Sequence, residues 1–172
     1  YRLGPLGWFT HPAIQGSHTG LDKASNFGTL DIISALEWVN ENINSFGGDS
    51  ENITIFGESA GGHNVLSLLV SKRAKGLFHK AISMSGYTES ISTEDAFRQE
   101  NKSPTSNYSS WKVVNKVINN QADKNVDHKY SNEEIRALLY GLSGKEFYQY
   151  YADRKSYEEL PLLTNDGIVI PS

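Results

Sequence analysis

Cysteine is absent from the 172 residues, which excludes disulfides, thiolate-held zinc and a cysteine nucleophile while leaving the compartment open. Basic charge is in slight deficit, with 16 Lys and Arg against 20 Asp and Glu. No basic stripe is therefore available to displace counterions from a nucleic-acid backbone, and nucleic acid is not an expected partner. No uninterrupted apolar run approaches the ~20 residues needed to span a bilayer, so no membrane span is expected, and nothing at the start resembles a signal peptide. Methionine occurs once, at Met84, so Tyr1 reads as an internal position and any targeting segment as lying upstream of it. Localisation and oligomeric state stay open. His11 and His18 have no cysteine or carboxylate cluster beside them, and neither a metal site nor an organic cofactor is expected.

What is present is a nucleophile-type turn. Gly57-Glu58-Ser59-Ala60-Gly61-Gly62 follows the β-branched and aromatic run Asn52–Phe56, which has the length and type of a buried parallel strand. It precedes a run with apolar residues at 65, 66, 69 and 70, the pattern of a helix pressed into a core. Strand, sharp turn, helix is the order of a nucleophile elbow. Such a turn holds its serine in an unfavourable backbone conformation, so the neighbours must lack bulk, a need that Gly57 and Gly61 meet. The Ser59 hydroxyl then stands above the carboxyl end of a sheet. The N–H of Ala60 points where a tetrahedral intermediate carries its charge. A phosphate loop needs a lysine at its end, and the first lysine beyond the turn is Lys72.

Around this turn the chain reads as alternating helix and strand. Tyr1–Phe9 suits a strand end entering a tight turn, and residues 10–26 a surface loop. From Thr29, Ile32, Leu36, Val39, Ile43 and Phe46 form one apolar helical face, with Asp31 in the first turn and Gly47-Gly48 as the stop. Lys80–Gly86 reads as another short buried strand, which gives an α/β class with a parallel sheet and ligands at the strands' carboxyl ends. Residues 1–87 form the core segment and 88–160 a polar helical insertion, with no further strand pattern until the last residues. Within the insertion, Trp111, Val114, Val117 and Ile118 share a face. Ser131–Glu134 and Ser143–Glu146 are capping boxes, and the tyrosines are read as packing. Residues 161–172 return toward the core through an Asp166-Gly167 turn and a brief extended run.

The Tyr1–Gly7 opening, the Ala35–Ile43 helix, Phe46-Gly47-Gly48-Asp49, the Gly57–Gly62 elbow and Lys80–Gly86 together closely resemble the type B carboxylesterases. These are cholinesterase-like members of the α/β-hydrolase fold, and the resemblance covers a little over half of the chain. It implies a serine carboxylesterase acting on small-molecule carboxylic esters through an acyl-enzyme. Ser59 is then the nucleophile, Ala60 an oxyanion donor, Gly57, Glu58, Gly61 and Gly62 the elbow, and Ser85 a supporting residue behind the catalytic acid and base. The resemblance also implies further oxyanion donors upstream, and an acid and a histidine downstream. The chain is accordingly expected to be an internal fragment, nearly inert alone.

Within the chain itself, His63 shares the elbow helix and His79 lies at the amino end of the next strand. His128, with Asp123 or Asp127 as orienter, remains the internal alternative for a base. A non-catalytic binding member of the same fold is the alternative function, against which the intact Ser59 and its flanking glycines weigh.

Overall fold

The computed structural model describes residues 1–99, 110–121, 129–151 and 160–172. Strands β1 (Thr54–Glu58) and β2 (Lys80–Met84) pair in parallel, with Thr54 opposite Lys80 and Glu58 opposite Met84. Helix α4 (Ala60–Val70) makes the crossover between them, as a parallel connection requires. Helix α3 (Phe27–Asn42) packs against α4 and tightens into a 3₁₀ turn at Ile43–Phe46, which Gly47 ends with a left-handed φ of 81°. The helix begins two residues earlier than its apolar pattern suggests, so Asp31 falls outside the first turn. Its carboxylate instead receives the backbone N–H and the guanidinium of Arg2 in a forked contact of 2.6–2.9 Å, which holds its pKa below the usual carboxylate range.

The expected apolar face of α3 meets the core at Ile32 and Leu36 but not at its far end. Ile33, 3% exposed, joins Ile55, Val65 and Leu68 in the first core, whereas Phe46 is 71% exposed. In α4 Val65 is buried as expected, but Leu68 is buried in place of Leu69 and Val70, which face outward. Nor is either strand buried, apart from Ile55 in β1. Phe56 and Ile82 are register partners on the sheet face opposite Ile55, and both stand exposed because the described helices build the core on the Ile55 side.

The opening residues form a short helix, α1 (Pro5–Trp8), rather than a strand end, with Pro5 preset for the first turn. Residues 10–26 are not a surface loop. They hold α2 (Pro12–Gln15) and a 3₁₀ turn at Gly20–Lys23, and His11, Gln15 and Asn26 are almost wholly buried. Polarity misleads here because these side chains stand in for backbone partners. Gln15 accepts the His11 N–H at 2.8 Å and donates to the Phe9 carbonyl at 2.9 Å. Asn26 donates to the Thr164 carbonyl at 2.7 Å and accepts the Thr164 N–H at 3.0 Å, as a neighbouring strand would.

The later segment contains a second parallel pair that no periodicity announces, β3 (Ile91–Ser92) with β4 (Thr164–Asn165). Two residues are too few to show alternation. Helices α5 (Thr93–Phe97), α6 (Trp111–Gln121), α7 (Asn132–Gly141) and α8 (Gly144–Gln149) follow β3. Both capping boxes form, at Ser131 with Glu134 and at Ser143 with Glu146. Val113, Val114 and Val117 of α6 meet Ile135 and Leu139 of α7, Phe147 of α8, and Ala13 of α2 in a second core. Tyr151 packs there at 4% exposure, while Tyr140 is 66% exposed and does not pack. Beyond Asn165 the chain closes as a compact loop instead of an extended run. The Asp166 carboxylate accepts the N–H groups of Ile168, Val169, Ile170 and Ser25 and the Asn26 amide.

Candidate active site

Ser59 stands between the last residue of β1 and the first of α4, at φ 53° and ψ −116°. For a side chain with a Cβ this backbone costs on the order of 1–3 kcal/mol and persists only where the surroundings impose it. The surroundings are visible. The Ser59 N–H donates to the Met84 carbonyl at 2.9 Å, pinning the turn to β2, and the Ser59 carbonyl accepts the His63 N–H at 3.0 Å, which starts the helix. Ser59 itself is exposed, as is Glu58.

The glycines divide the steric work unequally. A Cβ on Gly57 would lie 2.3 Å from the Gly61 carbonyl oxygen, and one on Gly62 would lie 2.8 Å from the Met84 oxygen and 2.9 Å from Gly86 Cα. A Cβ on Gly61 would meet nothing within 4 Å. The room expected from Gly57 and Gly61 together is thus required at Gly57, while the second close approach is between Gly62 and Gly86. Gly86 was only a strand-end residue in the sequence, and its steric role depends on a contact across 24 positions that no local pattern carries. Ser83 reinforces that contact by donating its hydroxyl to the Gly62 carbonyl at 3.1 Å.

Ala60 opens α4, so its N–H has no intrahelical acceptor and is directed at whatever lies before the helix. A cleft of about 450 Å³ begins at Ala60 and runs between Trp8, His63, Tyr87 and residues 160–163. Ser85 is the only non-glycine residue besides Ser59 with positive φ among the described residues, at 50°, and it too is exposed just past β2.

A family model described as the carboxylesterase family matches residues 1–150. The chain belongs to the carboxylesterase family. It is similar to the para-nitrobenzyl esterase of Bacillus subtilis (strain 168), 46% identical over 96 residues that make up 56% of this chain and 19% of that protein. Human cocaine esterase is 38% identical over 173 aligned positions, covering 99% of this chain and 26% of that protein. Among solved structures, a thermophilic PNB esterase superposes with a TM-score of 0.71 at 29% identity, covering all of this chain and 31% of the other. The chain spans between 14% and 26% of the curated relatives it matches. Its β1–α4–β2 unit is the parallel-sheet layer of the α/β-hydrolase fold that these esterases share.

Around the elbow of this carboxylesterase chain, no described side chain hydrogen-bonds the Ser59 hydroxyl. His79 sits at the amino end of the sheet, where its Nδ1 accepts the Ile53 N–H at 3.2 Å. His63 is buried against Tyr87, with ring centroids 4.2 Å apart, and desolvation lowers its pKa against the opposing pull of Glu89. His128, Asp123 and Asp127 lie outside the described residues. Among those residues no group of His, Cys, Asp or Glu would hold a metal ion, and no helix is long and apolar enough to cross a membrane.

Proposed function

We propose that the protein hydrolyses small-molecule carboxylic esters through an acyl-enzyme formed on Ser59. The observation that carries this reading is the strained, positive-φ serine held between β1 and α4 with Gly57 jammed against Gly61. In the proposed step the Ser59 oxygen attacks the ester carbonyl and its proton passes to a base. The carbonyl oxygen becomes an oxyanion that accepts the Ala60 N–H, and collapse expels the alcohol to leave the acyl-serine. Water then repeats the sequence and releases the acid.

Ser85 supports the acid and base from the neighbouring strand end, and both of those groups come from outside the described residues. Among the described residues no side chain hydrogen-bonds the Ser59 hydroxyl as that base would, and a site left in that state turns esters over poorly. Without a base and with one oxyanion donor in place of several, about 10³–10⁴-fold over water is the most that remains. Each missing donor costs about 2.7–4 kcal/mol more. A binding role alone gives no reason to keep a strained serine, which favours the enzyme over an adhesion-type member of the fold.

The test is covalent labelling of the full-length protein by an organophosphonate, together with turnover of a carboxylic ester. Ser59→Ala is expected to abolish both. Persistent labelling of that variant would move the nucleophile elsewhere.

A further inference from the structure

Among the described residues, His63 is the one buried titratable group near the elbow that the proposed chemistry does not use. It occupies the first turn of α4, four residues after Ser59, and its ring lines the cleft at Ala60 while packing against Tyr87 of the segment following β2. In the seam between α4 and that segment the two backbones touch at Gly62 and Gly86. Two glycines fix how closely the segments approach, yet with no side chains they fix their relative orientation poorly. The next residue on each strand of the seam supplies what they lack. The His63 ring lies against the Tyr87 ring at 4.2 Å and an interplanar angle of 54°. Tyr87 stands two residues beyond Ser85, whose φ of 50° is the second strained turn of the site. His63 and Leu163 also form the wall shared by the cleft at Ala60 and a neighbouring cleft of about 310 Å³.

We propose that His63 is a positioning residue, its ring clamping the first turn of α4 to the turn after β2 so that Ser59 and Ser85 keep a fixed relation during attack. This rests on the reading of Ser59 as the nucleophile. The clamp works with a neutral ring. Burial disfavours the imidazolium, and so does the positive end of α4, while Glu89 alone favours it. Among the described residues, the other titratable group at the ring besides Glu89 is Tyr87. The residues lining the two clefts from α1, α4 and positions 160–171 carry no charge.

The experiment compares His63→Ala, His63→Phe, Tyr87→Ala and the His63→Ala/Tyr87→Ala double variant in the full-length protein, by ester kinetics and by amide hydrogen exchange. His63→Ala is expected to lower kcat about ten- to a hundredfold with KM changed less than threefold, and to raise exchange at residues 59–62 and 84–87. His63→Phe keeps a ring on Tyr87 and is expected to recover kcat to within about threefold. Tyr87 is 43% exposed, so Tyr87→Ala leaves the core intact and keeps the test valid if His63→Ala unfolds. The double variant is expected to be no slower than the worse single one.

Unchanged exchange in Tyr87→Ala overturns the clamp. Raised exchange with wild-type kcat overturns its positioning role, as does a Phe variant as slow as the Ala one. Ester turnover that survives Ser59→Ala overturns the nucleophile and the positioning role with it, while the exchange data still report on the clamp.

Discussion

Alanine at Gly57 and alanine at Gly61 separate two glycines that the Gly-x-Ser-x-Gly pattern treats alike. At Gly57 the new Cβ would lie 2.3 Å from the Gly61 oxygen, 2.4 Å from its carbonyl carbon and 2.9 Å from its Cα. All three are backbone atoms at the start of α4, so no rotamer change relieves the clash. Real contacts stop near 3.0 Å, and the elbow has to open by about 0.7 Å between β1 and α4. Overpacking of this kind costs about 1–3 kcal/mol, and a displacement approaching 1 Å at a reacting atom costs up to about 10²-fold in rate. At Gly61 the Cβ meets nothing within 4 Å, and alanine is the better helix former by up to about 1 kcal/mol. The assay is the second-order rate of organophosphonate labelling, with the thermal midpoint as a folding control. Gly57→Ala is expected to label ten- to a hundredfold more slowly and Gly61→Ala within threefold of the parent. Equal damage from both substitutions, or a Gly57→Ala protein labelled at the parent rate, would refute the steric account of the elbow.

Two further predictions concern stability. His11, with no exposed surface, has its pKa pushed down to about 4 by burial, from an ordinary value of 6.5. Between those values the unfolded chain binds the proton and the folded one does not, so stability is whole above pH 6.5 and falls by roughly 3 kcal/mol as the pH drops to about 4. His11→Asn keeps an acceptor for the Ala13 N–H that caps α2, and denaturant titrations across this range are expected to show that acid slope much reduced. Asp166→Ala removes the acceptor of four backbone N–H groups and of the Asn26 amide, and chemical denaturation is expected to show a loss of about 3 kcal/mol or more. A loss under about 1 kcal/mol would mean that water replaces the carboxylate at no cost.

Strong local signals in the sequence correspond to real elements. The β-branched run before the elbow became β1, Gly47 became a left-handed stop, and the Ser-x-x-Glu spacings at 131 and 143 became capping boxes. Each depends on neighbours within a few residues, which is why composition and spacing suffice. The polar stretch at 10–26 misled for the converse reason. Its Gln15 and Asn26 are buried because they satisfy backbone groups, in the case of Asn26 those of a residue 138 positions away, and polarity alone does not distinguish a solvated amide from one replacing a strand.

The elbow divides along the same line. A serine between small neighbours, after a strand and before a helix, was legible as a turn, because the strain at one residue is relieved by its immediate neighbours. Which glycines are obligatory, that Met84 pins the Ser59 N–H, and that His63 meets Tyr87 depended on β2 returning beside β1 in one particular register. Backbone strain is written locally and can be read from the chain. Contact between segments exists only after the crossover has closed, and the folded structure alone decides it.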